Sequence, residues 1–206
     1  MNNLTLILAG VFSCLALSWG GVVLTSQVQL AALAPAPTEE GGPVKPALAP
    51  GLAVIGKDVY VSQGCQACHT QQIRPAGLGS DLTRGWGKRP SVARDYVLQD
   101  RVVLGDHRLG PDLADVGSRL ADDAKLHLLL LAPDAAQAGS TKPGFAHLYE
   151  QVPSDRARQP IRLPEGHPSA AAPGKEWVPT DRAIALVAYL RSLRADHASP
   201  EAPLPE

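Results

Sequence analysis

Apolar residues run unbroken near the start of the chain and are spaced out everywhere else. From Leu4 to Leu24 no side chain is charged, and the first charged side chain is Glu39. About 21 residues at 1.5 Å each cross a hydrocarbon layer of roughly 30 Å, so residues 1–30 read as a transmembrane anchor. Gly10, Gly20 and Gly21 suit close packing against another membrane helix. Residues 31–50 read as a Pro/Ala-rich linker, because Pro35, Pro37, Pro43, Pro46 and Pro50 break helices and favour extended chain. Gly51 to Ser62 then places Val54, Ile55, Val59 and Val61 at helical spacing, with Tyr60 beside them. Ala124 to Leu131 predicts a shorter helix, ended by Pro133. A last helix starts at Thr180-Asp181-Arg182, capped by Thr180 or Asp181. Its expected buried stripe is Ala183, Ile184, Leu186, Val187, Leu190 and Leu193. Residues 150–179 read as a Pro/Gly/Ala-rich loop insertion and 196–206 as a flexible tail. No segment alternates as a strand would. The expected class is mainly α, a membrane helix followed by a helical domain at 51–195.

Composition narrows this picture. A chain of 206 residues has room for one good core, and several of its stretches contribute little to it. A net charge of −1 gives no footprint for nucleic acid. Aromatics make up only 4%, while Gly and Pro number 19 each. That balance predicts a loop-rich domain in which a prosthetic group supplies part of the core.

Cys65-Gln66-Ala67-Cys68-His69 supplies the candidate chemistry. C-x-x-C-H is the attachment signature of a c-type haem: two thioethers to the vinyl groups, and a histidine on the iron. Two residues between the thiols let one helical turn reach both vinyls, and the next imidazole swings under the metal. Zinc sites and redox dithiols also use C-x-x-C. Zinc would need a second ligand pair, but the only other cysteine is Cys14, inside the apolar run. A redox dithiol gains nothing from a histidine directly after the second cysteine. One covalent haem c on Cys65 and Cys68, with His69 as proximal iron ligand, is therefore expected.

Three fates of the N-terminal run are compatible with the residues. The expected one is a retained anchor. The second is a cleaved signal, for which Ala32-Leu33-Ala34 offers a small-x-small site but no basic region precedes the run. The third is a lipoprotein signal with Cys14 acylated. Met1-Asn2-Asn3 carries no basic side chain, so orientation comes from the haem. Covalent attachment happens outside the bacterial inner membrane, which predicts a single-pass protein with its haem domain in the periplasm.

The order of elements, ending in Ala185-Leu186-Val187-Ala188-Tyr189-Leu190-Arg191-Ser192-Leu193, resembles a class I cytochrome c. In that fold the first and last helices cross with a small residue facing an aromatic, roles that suit Gly56 and Tyr189. More narrowly, the chain resembles the membrane-anchored monohaem subunit of cbb3-type haem–copper oxidases. The resemblance rests on Gly56 to Tyr60, Gly64 to Thr70 with Gln71-Gln72-Ile73-Arg74-Pro75, Gly110 to Leu113, Val116 to Arg119, and the final helix. It implies that the Pro111 carbonyl orients His69; a simple Gly-Pro turn is the alternative. Arg74, Arg108 and Arg119 are candidates to neutralise haem propionates, or are ordinary surface arginines.

The sixth iron position departs from the resemblance. Such cytochromes carry Ser-x-Met-Pro-x-aromatic, whereas this chain reads Ser140-Thr141-Lys142-Pro143-Gly144-Phe145, and Met1 is its only methionine. Four arrangements remain: Lys142 as distal ligand, His147 in its place, an empty or water-filled site, or one of His107, His127, His167 and His197.

The expected function is relay of electrons from a donor cytochrome c to the catalytic haem–copper subunit, alongside other cytochrome subunits. The chain is not catalytic by itself, since it has no second haem motif and no copper-ligand cluster. Two alternatives are the monohaem subunit of a nitric oxide reductase and a haem-based gas sensor.

Overall fold

The computed structural model describes residues 3–205; Met1 and Asn2 of the expected anchor and Glu206 of the expected tail lie outside it. Helix α1 spans Asn3–Ala31, with a mean hydropathy of 2.1 and none of its length buried. It is long and apolar enough to cross a membrane. It continues past Leu24 because nothing before Pro35 interrupts it. Trp19–Leu24 widens into a π-helical turn. The hydroxyls of Thr25 and Ser26 donate there to the carbonyls of Gly20 (3.2 Å) and Val22 (2.6 Å).

The linker is more ordered than its prolines suggest. Strands β1 (Ala36–Pro37) and β2 (Val44–Lys45) pair antiparallel. Gly41 makes the intervening turn at φ 74°, a backbone that only glycine adopts without cost. Ahead of β1, the Ala34 carbonyl accepts from Arg94.

Five helices and one hairpin frame the soluble part among the described residues. They are α2 (Gly51–Ser62), α3 (Val116–Arg119), α4 (Asp123–Leu131), α5 (Pro133–Ala136) and α6 (Asp181–Ser192), with a hairpin of β3 (Tyr149–Pro153) and β4 (Lys175–Pro179) before α6. Pro50 has no N–H to leave unsatisfied, so α2 starts cleanly after it. Helix α4 is capped by Asp122, whose carboxylate accepts from Ala124 N at 2.9 Å. Pro133 ends that helix and starts α5, where a missing N–H does no harm.

The core centres on the crossing of α2 and α6. A Cβ built on Gly56 would lie 1.9 Å from the Ala185 carbonyl oxygen and 2.7 Å from Tyr189 Cβ. The two backbones therefore touch at this glycine. The rings of Tyr60 and Tyr189 meet edge to face beside it, with centroids 5.5 Å apart. This closeness corrects the expected stripes. Ala53 and Gly56 face inward with Val59 and Tyr60, while Val54 and Ile55 are exposed. On α6, Ala185 and Tyr189 replace Ile184, which is exposed. Small residues occupy the seam because only they let the axes approach this closely.

Three further expectations are corrected. Thr180 stands at the cap position, but its hydroxyl donates to the Leu148 carbonyl at 2.7 Å and so ties α6 to the chain entering β3. The 150–179 segment begins and ends in paired strands, and it buries Ile161, whose N donates to the Trp177 carbonyl at 2.8 Å. Within the expected tail, Ser199 and Ala202 are buried. Buried Arg89 donates to the His197 carbonyl at 2.6 Å and pairs with Asp95 at 2.7 Å. Arg94 pairs with Glu201 at 2.5 Å.

Candidate haem site

Helix α2 ends at Gln63, and Gly64 adopts φ 69°, turning the chain sharply into a 3₁₀ turn at Cys65–Ala67. The Cys65 carbonyl accepts from Cys68 N (3.2 Å) and His69 N (2.9 Å). One tight turn therefore presents both thiols and the imidazole together. Both cysteines are unpaired and half-buried. Burial pushes the Cys65 thiol up from its ordinary value, so it stays protonated at neutral pH.

A second segment fixes this turn. Asp106 N, His107 N and Gly110 N donate to the carbonyls of Gln66 (3.2 Å), Ala67 (3.2 Å) and Cys68 (2.9 Å). His69 Nδ1 lies 2.8 Å from the Pro111 carbonyl, which can only accept, so Nδ1 carries the proton. Nε2 then holds the lone pair, and among the described residues it has no hydrogen-bond partner. Burial, which outweighs the Pro111 contact, holds the imidazole below its usual pKa, and the Lys142 charge adds to this. The ring is thus kept neutral, the state that binds a metal. A Cβ on Gly110 would stand 2.2 Å from His69 Cε1 and 2.6 Å from Nδ1, so the ring lies directly against that glycine.

Next to the turn, two tyrosines converge on Gln71 and a third on His69. Tyr189 donates to the Gln71 side-chain oxygen at 2.9 Å and Tyr96 to the Gln71 carbonyl at 2.8 Å. Tyr60 reaches the neighbouring His69 carbonyl at 3.3 Å. The α2–α6 seam is in this way wired to the site.

The three arginines differ. Arg74 donates to buried Asp81 through Nε (3.0 Å) and Nη2 (2.7 Å), and Arg108 reaches the same carboxylate at 3.2 Å. Those guanidiniums hold Asp81 at about 2. Arg119 donates through Nη2 to the Asp112 carbonyl at 2.5 Å, and its buried Nε has no partner.

Of the candidate distal ligands, Lys142 turns inward. Its amine donates to the carbonyls of Leu129 (3.0 Å) and Pro143 (3.2 Å), and burial lowers it to about 8. His147 faces outward, with Nε2 2.5 Å from Gln63 Oε1. His107 is exposed. His127 Nδ1 meets the Tyr149 hydroxyl at 3.1 Å, His167 lies 3.3 Å from Asp134, and His197 sits against Arg89 in the tail.

Two thiols in one turn, a neutral imidazole with a free Nε2 and a backbone carbonyl behind it form a donor set that fits a covalent haem. Sequence reasoning missed Gly110 and Asp81. The Gly-Pro dipeptide hinted at the first, and nothing local marked the second. No curated protein matches the chain. A family model described as cytochrome C oxidase, mono-heme subunit/FixO matches residues 3–163, well over half the sequence. With its apolar N-terminal helix and its candidate haem turn, the chain belongs to that family, the mono-heme subunits of cytochrome oxidase complexes.

Proposed function

We propose that the chain relays single electrons to the catalytic subunit of a cbb3-type oxidase through one haem bound covalently at Cys65 and Cys68. The observation that carries this is the Cys65–His69 turn, with Nδ1 of His69 held by Pro111 and Nε2 left for iron. The haem supplies a one-electron ferric–ferrous couple. The protein's part is to hold that couple still. Pro111 fixes the imidazole tautomer and strengthens its donation, Gly110 leaves room for the ring, and the tyrosine-lined seam keeps the turn from shifting. Arg119 keeps one buried N–H to give to a propionate, whereas Arg74 and Arg108 serve mainly to neutralise Asp81.

In this reading residues 51–195 form a class I cytochrome c domain, supported by the close crossing of α2 and α6 at Gly56. Helix α1 is a retained anchor in the bacterial inner membrane and the domain faces the periplasm. Its partners are the catalytic haem–copper subunit, companion cytochromes and a donor cytochrome c. Family membership favours this over the nitric oxide reductase and sensor readings.

Haem staining of denatured protein made under maturation-competent conditions tests the reading. Wild type should stain, and Cys65→Ala or Cys68→Ala should lose most or all of the stain. Wild-type protein without covalent haem would refute it.

A further inference from the structure

We infer that Lys142 would bind the haem iron through its side-chain amine, as a second protein ligand beside His69. This rests on Cys65, Cys68 and His69 being the haem site. The argument starts from what is unusual about this lysine. Lysines bury their stems and send the amine to water, but Lys142 folds its amine back into the protein. Among the described residues no carboxylate pairs with it; the ion pairs there involve other cations. Even a half-buried ammonium without a counter-ion is costly.

The hydrogen bonds also suit the amine once its third proton is lost, as it would be on binding a metal. A neutral primary amine has two N–H donors and one lone pair. Leu129 and Pro143 supply two carbonyls, at 3.0 and 3.2 Å, and these accept both hydrogens. The lone pair remains. An amine so arranged is prepared for a Lewis acid, and its charge, when present, is felt at Cys65 and His69.

The supporting loop is held against α4. Phe145 N donates to the Leu130 carbonyl at 2.8 Å. A Cβ on Gly144 would meet the Leu131 carbonyl oxygen at 2.6 Å, so the loop lies directly on the last turn of α4. Competing donors point elsewhere. His147 is turned out toward Gln63, and His127, His167 and His197 are engaged at other sites. Met1, the sole methionine, precedes the membrane helix, and Cys14 lies within it. The rival state is an ammonium resting over the Phe145 ring, whose centre is 4.6 Å from Nζ.

The test uses the full chain with haem attached, and combines electron paramagnetic resonance, optical spectra and carbon monoxide addition with haem staining. Wild type should be low-spin in the oxidised state with two nitrogen ligands and no sulfur-to-iron charge-transfer band. Lys142→Ala should convert it to a high-spin haem that takes up carbon monoxide at once when reduced. Lys142→Arg keeps the charge but cannot deprotonate to ligate, so it should match the alanine variant. Lys142→Met should stay low-spin and gain the sulfur band. His147→Ala should leave the wild-type spectrum in place. Staining must persist in every variant; its absence from wild type would sink the haem site itself. With staining intact, ligation by Lys142 is overturned by a high-spin wild type, by an alanine variant with the wild-type spectrum, or by loss of the low-spin signal in His147→Ala.

Discussion

Replacing Gly56 with alanine is the most direct perturbation of the frame that holds the site. The added methyl carbon would lie 1.9 Å from the Ala185 carbonyl oxygen, 2.6 Å from its carbon and 2.7 Å from Tyr189 Cβ. Two of these three obstacles are backbone, so no side-chain rotation relieves the clash. Restoring ordinary contact requires α2 and α6 to part by about 1.5 Å. The parting would also loosen the Tyr60–Tyr189 contact and pull on Gln71. Overpacking costs about 1–3 kcal/mol where a core adapts by rotamer shifts. Here the cost should reach at least the top of that range, about 3 kcal/mol, lowering Tm by about 6–12 °C in a domain of this size. Gly51→Ala is the matched control, since a Cβ there meets nothing within 4 Å. It should be neutral or stabilising by up to about 1 kcal/mol. Thermal melts of the haem-loaded protein, followed by far-ultraviolet circular dichroism and the Soret band, measure both. A Gly56→Ala protein melting within about 2 °C of wild type would refute the close crossing.

Gly110→Ala drives a methyl into the His69 ring and should push the imidazole off the Pro111 carbonyl. The expected result is retained thioethers on a stained gel with loss of the low-spin spectrum; an unchanged spectrum would count against the ring geometry. Asp81→Asn leaves Arg74 and Arg108 without their shared anion. It should cost about 2 kcal/mol, less than for a wholly buried pair because both guanidiniums reach water. The folded carboxyl titrates at about 2 against 3.8 when free, so its stabilisation is complete above about pH 4 and is lost as pH falls toward 2. Denaturant melts of wild type and Asp81→Asn should therefore converge with acid, and a gap that stays constant would exclude this role.

What could be read from the sequence was whatever the chain spells out locally. Pro50 and Gly64 bracket α2, so its limits at Gly51 and Ser62 match expectation. The candidate haem turn is five consecutive residues, so the sequence alone could nominate it. Features made by distant partners were hidden. Arg89 holds the carbonyl of His197, 108 positions away, and turns a Pro-rich tail into packed structure. β3 finds β4 across more than twenty intervening residues, and neither strand is long enough to announce itself by alternation. The direction a helix faces was also misjudged. Hydrophobicity pointed to Val54, Ile55 and Ile184, but the seam is set by how near two backbones come, which favours Ala53, Gly56 and Ala185.

The grip of Arg94 on the Ala34 carbonyl has a mechanical consequence. Loose chain from Ala34 to Pro50 would give the domain roughly 50 Å of play beyond α1. Arg94 instead clips the chain to the body of the domain only a few residues beyond Ala31, and the same guanidinium holds Glu201. The leash is shortened to the stretch between α1 and that clip. If α1 is the proposed membrane anchor, a domain on so short a tether explores little volume, and another subunit of the complex would meet it at a high effective concentration. Under the proposed relay, hand-over would depend less on diffusional search and more on the small tilts of one helix.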